Sequence, residues 1–177
     1  KKPPPENRDE SKVLPYQLPE ALVLKLGHRV MDAATWTQKR RPEVLELFRT
    51  EMFGRQPPAP KELKYKVFDE TNGALGGKAI RKQVTIFFSA DEQGPRMDLL
   101  LYIPANARRP VPAFLGLNFG GNQAIHADPG LKLSETWQRD DKERGYVSHR
   151  ATEASRGTES KRWDVNAMLD RGYALAT

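Results

Sequence analysis

The chain of 177 residues contains no cysteine. That absence removes a disulfide scaffold, thiolate zinc sites and a cysteine nucleophile together. Long apolar runs are missing too. No stretch approaches the ~20 residues that a membrane-spanning helix needs. Histidine is scarce: His28, His126 and His149 stand far apart, and none belongs to H-E-x-x-H. His126 and Asp128 could share a ligand set, yet loop histidines are more often polar surface residues. G-x-S-x-G is absent, so no self-contained serine triad is read from the sequence, and without G-x-G-x-x-G or a Walker pattern nucleotide binding is unsupported.

What is present is polar and mildly basic. Lys+Arg number 29 against Asp+Glu 23, a formal charge of +6, with 38% hydrophobic and 29% charged residues. The basic residues are dispersed in pairs such as Arg40-Arg41 and Arg108-Arg109 rather than clustered with aromatics. This reads as a solvated surface and not as a nucleic-acid footprint. Attraction to an acidic polysaccharide fits the same composition.

The first 20 residues are rich in proline and charge, without periodicity, and read as a mobile leader or linker. Thr35 and Gln38 fit a capping box, and Pro42 suits a helix's first turn. With Val44, Leu45, Phe48 and Met52 on one stripe and Gly54 and Pro57-Pro58 as the stop, one kinked helix or two short ones are predicted over about 34–53. A weaker strand near 63–69 and a turn at 73–77 precede a strand over 80–88. There Val84, Ile86 and Phe88 alternate with Gln83 and Thr85, the period of a half-buried strand. A further strand is predicted over 97–103. Residues 111–117 read as a strand covered on both faces. About 40 polar residues follow with little periodicity, a length more often functional than idle. A short helix is expected over 163–169.

Residues 173–177 read as a last buried strand, with which the sequence stops and which no element of the sequence is left to cover. A buried strand needs neighbours on both sides. The expectation is therefore that residues 21–177 are the first part of one domain that continues in a longer polypeptide.

The most informative local pattern is a strand running into Asn118-Phe119-Gly120-Gly121-Asn122. Glycines let a backbone approach a ligand closely, and N–H groups held at such a turn can stabilise an oxyanion. A plain tight turn is the other reading. Trp137, Arg162 and Trp163 are candidates for a sugar platform, Trp137 the freest of them. Trp163, at the start of the short helix, also reads as a core anchor.

Several ordered stretches resemble one family. Arg40-Arg41-Pro42-Glu43, Leu45-Glu46-Leu47-Phe48, Glu51 and Phe53-Gly54-Arg55 look like a segment of bacterial glucuronoyl esterases, carbohydrate esterase family 15. Phe114 to Asn122, Asp128-Pro129-Gly130, Trp137, Arg162-Trp163 and Arg171 to Thr177 follow in the family's order. Phe53 stands where tyrosine is usual, and Ala174 where glycine is usual. The resemblance implies an α/β fold, a three-layer α/β-hydrolase sandwich of which this is the N-terminal part. It implies a secreted or periplasmic enzyme that cleaves esters between 4-O-methyl-glucuronoyl groups of glucuronoxylan and lignin alcohols, with no metal or organic cofactor. The family's nucleophile motif does not occur here, so no catalytic residue is assigned. Asn118, Phe119, Gly120, Gly121, Asn122, Trp137, Arg162 and Trp163 are the expected substrate-binding residues, and the remainder of the polypeptide the expected partner, with no nucleic acid or membrane. Acetylxylan esterase activity and a non-catalytic polysaccharide-binding module are the alternatives.

Overall fold

The computed structural model describes residues 6, 8–108 and 110–177. Residues 1–5, 7 and 109 lie outside it, and with them six of the 20 residues of the expected leader and one arginine of the 108–109 pair. Among the described residues no helix is long and apolar enough to cross a membrane. The chain divides into two compact units, one ending at Pro58 and the other Ala59–Thr177. The division falls at the Pro57-Pro58 stop, whereas the sequence places a boundary near residue 20.

In the first unit, α1 (Ala33–Thr35) passes through a π-helical turn (Trp36–Arg40) into α2 (Arg41–Glu51). The helix begins earlier than the Thr35 box suggests. Asp32 is its cap, accepting from the Thr35 N–H at 2.6 Å, because Asp satisfies free first-turn donors as well as Thr does. The π turn brings Arg40 inward. Its guanidinium donates to the Ala21 and Glu20 carbonyls at 2.9 and 3.1 Å and to Glu43 at 3.0 Å. Glu43 also accepts from the Lys25 N–H at 3.0 Å. The Arg-Arg-Pro-Glu motif thus anchors the preceding segment to the helix.

The second unit is built on a five-stranded sheet. Its strands are β1 (Lys64–Gly73), β2 (Ala79–Phe87), β3 (Arg96–Pro104), β4 (Ala113–Leu115) and β7 (Ala174–Ala176), ordered β1-β2-β3-β7-β4. Strands β1 to β3 form an antiparallel meander, with one short irregular turn, α3 (Ala74–Gly77), between β1 and β2. Strand β7 is antiparallel to β3 and parallel to β4. A separate hairpin pairs β5 (Tyr146–Val147) with β6 (Arg150–Ala151). Helix α4 (Val165–Asp170), capped by Asp164, packs on β3 and β7. The core gathers Ala79, Leu100, Tyr102, Ile125, Leu131, Val165, Leu169 and Leu175.

Three expectations are corrected. In β2 the period is as predicted and Val84 is buried, but the more continuously buried face is the one that carries Arg81, Gln83 and Thr85 between Ala79 and Phe87, while Ile86 keeps part of its surface exposed. Partners described below make this possible. Strand β4 is not covered on both faces. It lies at the sheet's edge, paired only to β7, and Leu115 is 79% exposed. Finally, the last strand is not left without neighbours. Leu175 is fully buried between β3 and β4, and Thr177 exchanges backbone hydrogen bonds with Leu100 at 2.7 and 3.0 Å. The bare apolar edge belongs to β4 and not to β7.

Candidate functional site

A cleft of about 400 Å³ opens where β4 and β7 end. Parallel strands in open α/β sheets present their carboxyl ends to ligands, and this is such a place. Asn118, Phe119, Gly121, Asn122 and Thr177 line it, opposite Asp98, Lys132 and Gln138.

The turn after β4 is organised by Asn118. Its Oδ1 accepts from the Gly121 N–H at 2.8 Å, and its Nδ2 donates to Asn122 Oδ1 at 2.8 Å and Thr177 Oγ1 at 3.2 Å. Asn122 in turn donates to the Asp98 carbonyl at 2.9 Å. One amide side chain therefore ties together the ends of both parallel strands. Gly121 has φ 90°, a conformation that disfavours other residues. Its N–H is engaged by Asn118, whereas the N–H groups of Phe119 and Gly120 have no partner among the described residues. Those two are the donors free to meet a developing negative charge.

The opposite wall rests on a buried ionic network. Arg81 donates to Asp69 at 2.7 Å and to Asp128 at 2.7 and 2.8 Å. Tyr102 donates to Asp128 at 2.8 Å, and Gln83 joins Asp69 to the Gly130 carbonyl at 3.1 and 2.9 Å. A side chain on Gly130 would run into the Arg81 guanidinium. Burial works against the charge on Asp128, but Arg81, the Gly130 N–H and Tyr102 outweigh it and hold the carboxyl below its ordinary range. Asp69 is held low first by its hydrogen bond from Arg81. Burial pushes the Tyr102 phenol upward, and Asp128 adds to the rise. Since His126 Nδ1 accepts from the Asp128 N–H at 3.0 Å and the carboxylate is occupied by Arg81 and Tyr102, these residues are not a metal-ligand pair. Gln83 Oε1 also accepts from the Lys132 N–H at 2.9 Å, which carries the network to the cleft. There Lys132 meets Asp98 at 3.1 Å.

The long polar segment is ordered by side-chain-to-backbone bonds. Gln123 is fully buried and donates to the Gly120 carbonyl at 2.8 Å and Ser155 at 3.2 Å, while accepting from the Ser134 N–H at 3.1 Å. Arg156 donates to the Leu131 carbonyl at 2.7 Å. A lone Gln or Arg in a polar stretch carries no sequence signal for such a role.

The sequence-predicted residues thus separate. Asn118, Phe119, Gly121 and Asn122 meet in the cleft, and Gly120 lies beside it, its carbonyl accepting from Tyr146 at 3.0 Å. Arg162 sits 5.9 Å from the Phe119 ring, which is 76% exposed. Trp137, 67% exposed, stacks on His149 with centroids 4.9 Å apart but does not line the cleft. Trp163 packs on the core as an anchor, its ring 2.8 Å from where a side chain on Gly116 would begin.

A mixed sheet with a cleft at the ends of its parallel strands places the chain in the α/β class. Similarity to known proteins narrows this. A curated carbohydrate esterase, MZ0003, from an unknown prokaryotic organism is 46% identical over 173 residues, 97% of this chain and 39% of that protein. The solved glucuronoyl esterase of Solibacter usitatus is 49% identical with a TM-score of 0.83, over 96% of this chain and 42% of that one. A promiscuous esterase of carbohydrate esterase family 15 from a marine bacterial metagenome is 45% identical with a TM-score of 0.83, over 97% of this chain and 42% of that one. No family model matches the chain. The chain is therefore similar in sequence and in its α/β-hydrolase fold to the N-terminal part of these esterases, and spans about two-fifths of their length.

Proposed function

We propose that this chain is part of a secreted or periplasmic carbohydrate esterase that cleaves the ester between a 4-O-methyl-glucuronoyl group of glucuronoxylan and a lignin alcohol. One observation carries the reading: 49% identity and a TM-score of 0.83 to a glucuronoyl esterase over 96% of the chain. The cleft at Asn118–Asn122 supports it.

Hydrolysis proceeds through a serine that attacks the ester carbonyl, a histidine that takes its proton and gives it to the leaving alcohol, and a carboxylate that orients the histidine; water then hydrolyses the acyl-enzyme, releasing the uronic acid and the free serine. These three groups belong to the part of the enzyme outside this chain. The Phe119 and Gly120 N–H groups are suited to hold the oxyanion, and Asn118 positions them by fixing the turn. The wall from Lys132 to Gln138 contributes polar contacts to the sugar.

The test is turnover of benzyl glucuronate by the full-length gene product. Hydrolysis is expected, and none by folded protein would overturn the reading. Removal of acetyl groups from xylan is a second reading, favoured by the promiscuity named for one relative. The ratio of turnover on acetylated xylan to that on the uronate ester separates the two.

A further inference from the structure

A second concavity, of about 440 Å³, adjoins the cleft and shares Phe119 and Gln138 with it. The segment that forms the far wall of one, 134–138, continues as 138–141 into the wall of the other. A ligand longer than one unit can therefore run from the first space to the second across the exposed Phe119 ring.

The second space is lined by polar groups of nearly balanced charge, two arginines against three carboxylates. Arg139 and Arg144 face Asp140, Asp141 and Glu159, with the Tyr146 hydroxyl beside them. Such near-neutrality does not select an anion. Among the described residues no group of His, Asp or Glu is arranged to hold a metal ion. Paired carboxylate acceptors and guanidinium donors match the alternating donors and acceptors of a sugar's vicinal hydroxyls.

Glu159 points most directly to a missing donor. Its side chain is nine-tenths buried, and Arg144 donates to Oε1 at 2.8 Å, but Oε2 is buried with no partner. A desolvated acceptor without a donor is unfavourable, and a ligand hydroxyl that reached Oε2 from the space Glu159 lines would supply the missing bond. Arg139 has no carboxylate partner among the described residues and is free to bind.

The wall is also held in place before any ligand arrives. Ser148 and His149 take positive φ values of 52° and 61° at the tip of the β5–β6 hairpin, the turn type that normally selects Asn-Gly. His149 fixes the wall from this position. Its N–H donates to Asp140 at 2.7 Å, and its carbonyl accepts from the Gln138 N–H at 3.0 Å. Its Nδ1 lies 3.1 Å from the Gln138 carbonyl, which can only accept, so Nδ1 carries the proton. A preordered wall lowers the cost of binding.

We propose that this second concavity is a subsite for a neutral sugar unit of the polysaccharide that carries the ester; the proposal rests on the esterase reading above. The experiment compares the full-length gene product with its Arg139→Ala and Glu159→Gln variants. Two substrates are used: benzyl glucuronate, and the same ester borne on xylotriose. The wild type is expected to favour the oligosaccharide ester in kcat/KM, and each variant to lower that preference about three- to tenfold, the loss of one or two hydrogen bonds. Arg139 is exposed and unpaired, so its variant keeps the proposal falsifiable if Glu159→Gln disturbs folding. Equal preference ratios in wild type and Arg139→Ala would overturn the subsite while leaving the esterase reading intact. Failure of both esters would overturn the esterase reading. In that case a titration with xylotetraose decides the subsite: binding weakened by Arg139→Ala supports it, and no binding to the wild type overturns it.

Discussion

Strands β2 and β4 belong to one sheet and invert each other. Strand β2 buries Arg81, Gln83 and Thr85, whereas β4 exposes Phe114 and Leu115. Alternation in a sequence tells which residues share a face, but the partners available across that face decide whether it is covered. Arg81 is tolerated inside because Asp69 and Asp128 meet it, and Thr85 because its hydroxyl donates to Asp98 at 2.7 Å. Leu115 lies on an edge strand that is hydrogen-bonded on one side only.

The largest effect is expected where a buried pair is broken. Arg81→Met leaves two carboxylates unpaired and should lower stability by about 3–5 kcal/mol in urea unfolding. A loss below about 1 kcal/mol would mean that the polar face of β2 is solvated after all. Next, the two leucines set the strands against each other. In this 177-residue chain Leu175→Ala should cost about 2–5 kcal/mol and Leu115→Ala less than about 0.5 kcal/mol. Equal losses would break the comparison.

Acid sharpens it further. Asp69 and Asp128 have carboxyls held lower in the folded state than the ordinary value of 3.8. Below that value the unfolded chain binds more protons than the folded one, so stability present above about pH 4 is lost as the pH falls further. Thermal unfolding between pH 6 and 3 should show this fall, and it should shrink in Arg81→Met. A loss between those of the two leucine variants is expected for Thr85→Val, about 1 kcal/mol, from the hydrogen bond to Asp98 at nearly constant shape. A stabilised variant would show that hydroxyl to be unneeded.

Much of this was legible before the structure. Turn residues and alternation placed β2, β3 and α4 within a few positions, and the glycine pair marked the turn that follows β4. Strand β1 was only partly visible because Lys64–Gly73 is mostly polar and exposed. The long segment 120–160 looked featureless for a physical reason. It is held by Gln123, Arg156 and the Ser148–His149 turn, whose bonds to distant backbone leave no periodic trace. Arg81 and Asp128 are 47 residues apart, so nothing local announces their pairing. Within the candidate site, Asn118 to Asn122 came from a strand followed by glycines. The roles of Lys132, Gln138 and Glu159 required the fold.

The most direct measurement is a double-mutant cycle on Arg81→Met and Asp128→Asn, read by urea unfolding. A coupling above about 1 kcal/mol is expected if the two close the buried face of β2 together. Additivity within about 0.5 kcal/mol would contradict that, and with it the network that holds the cleft wall in place.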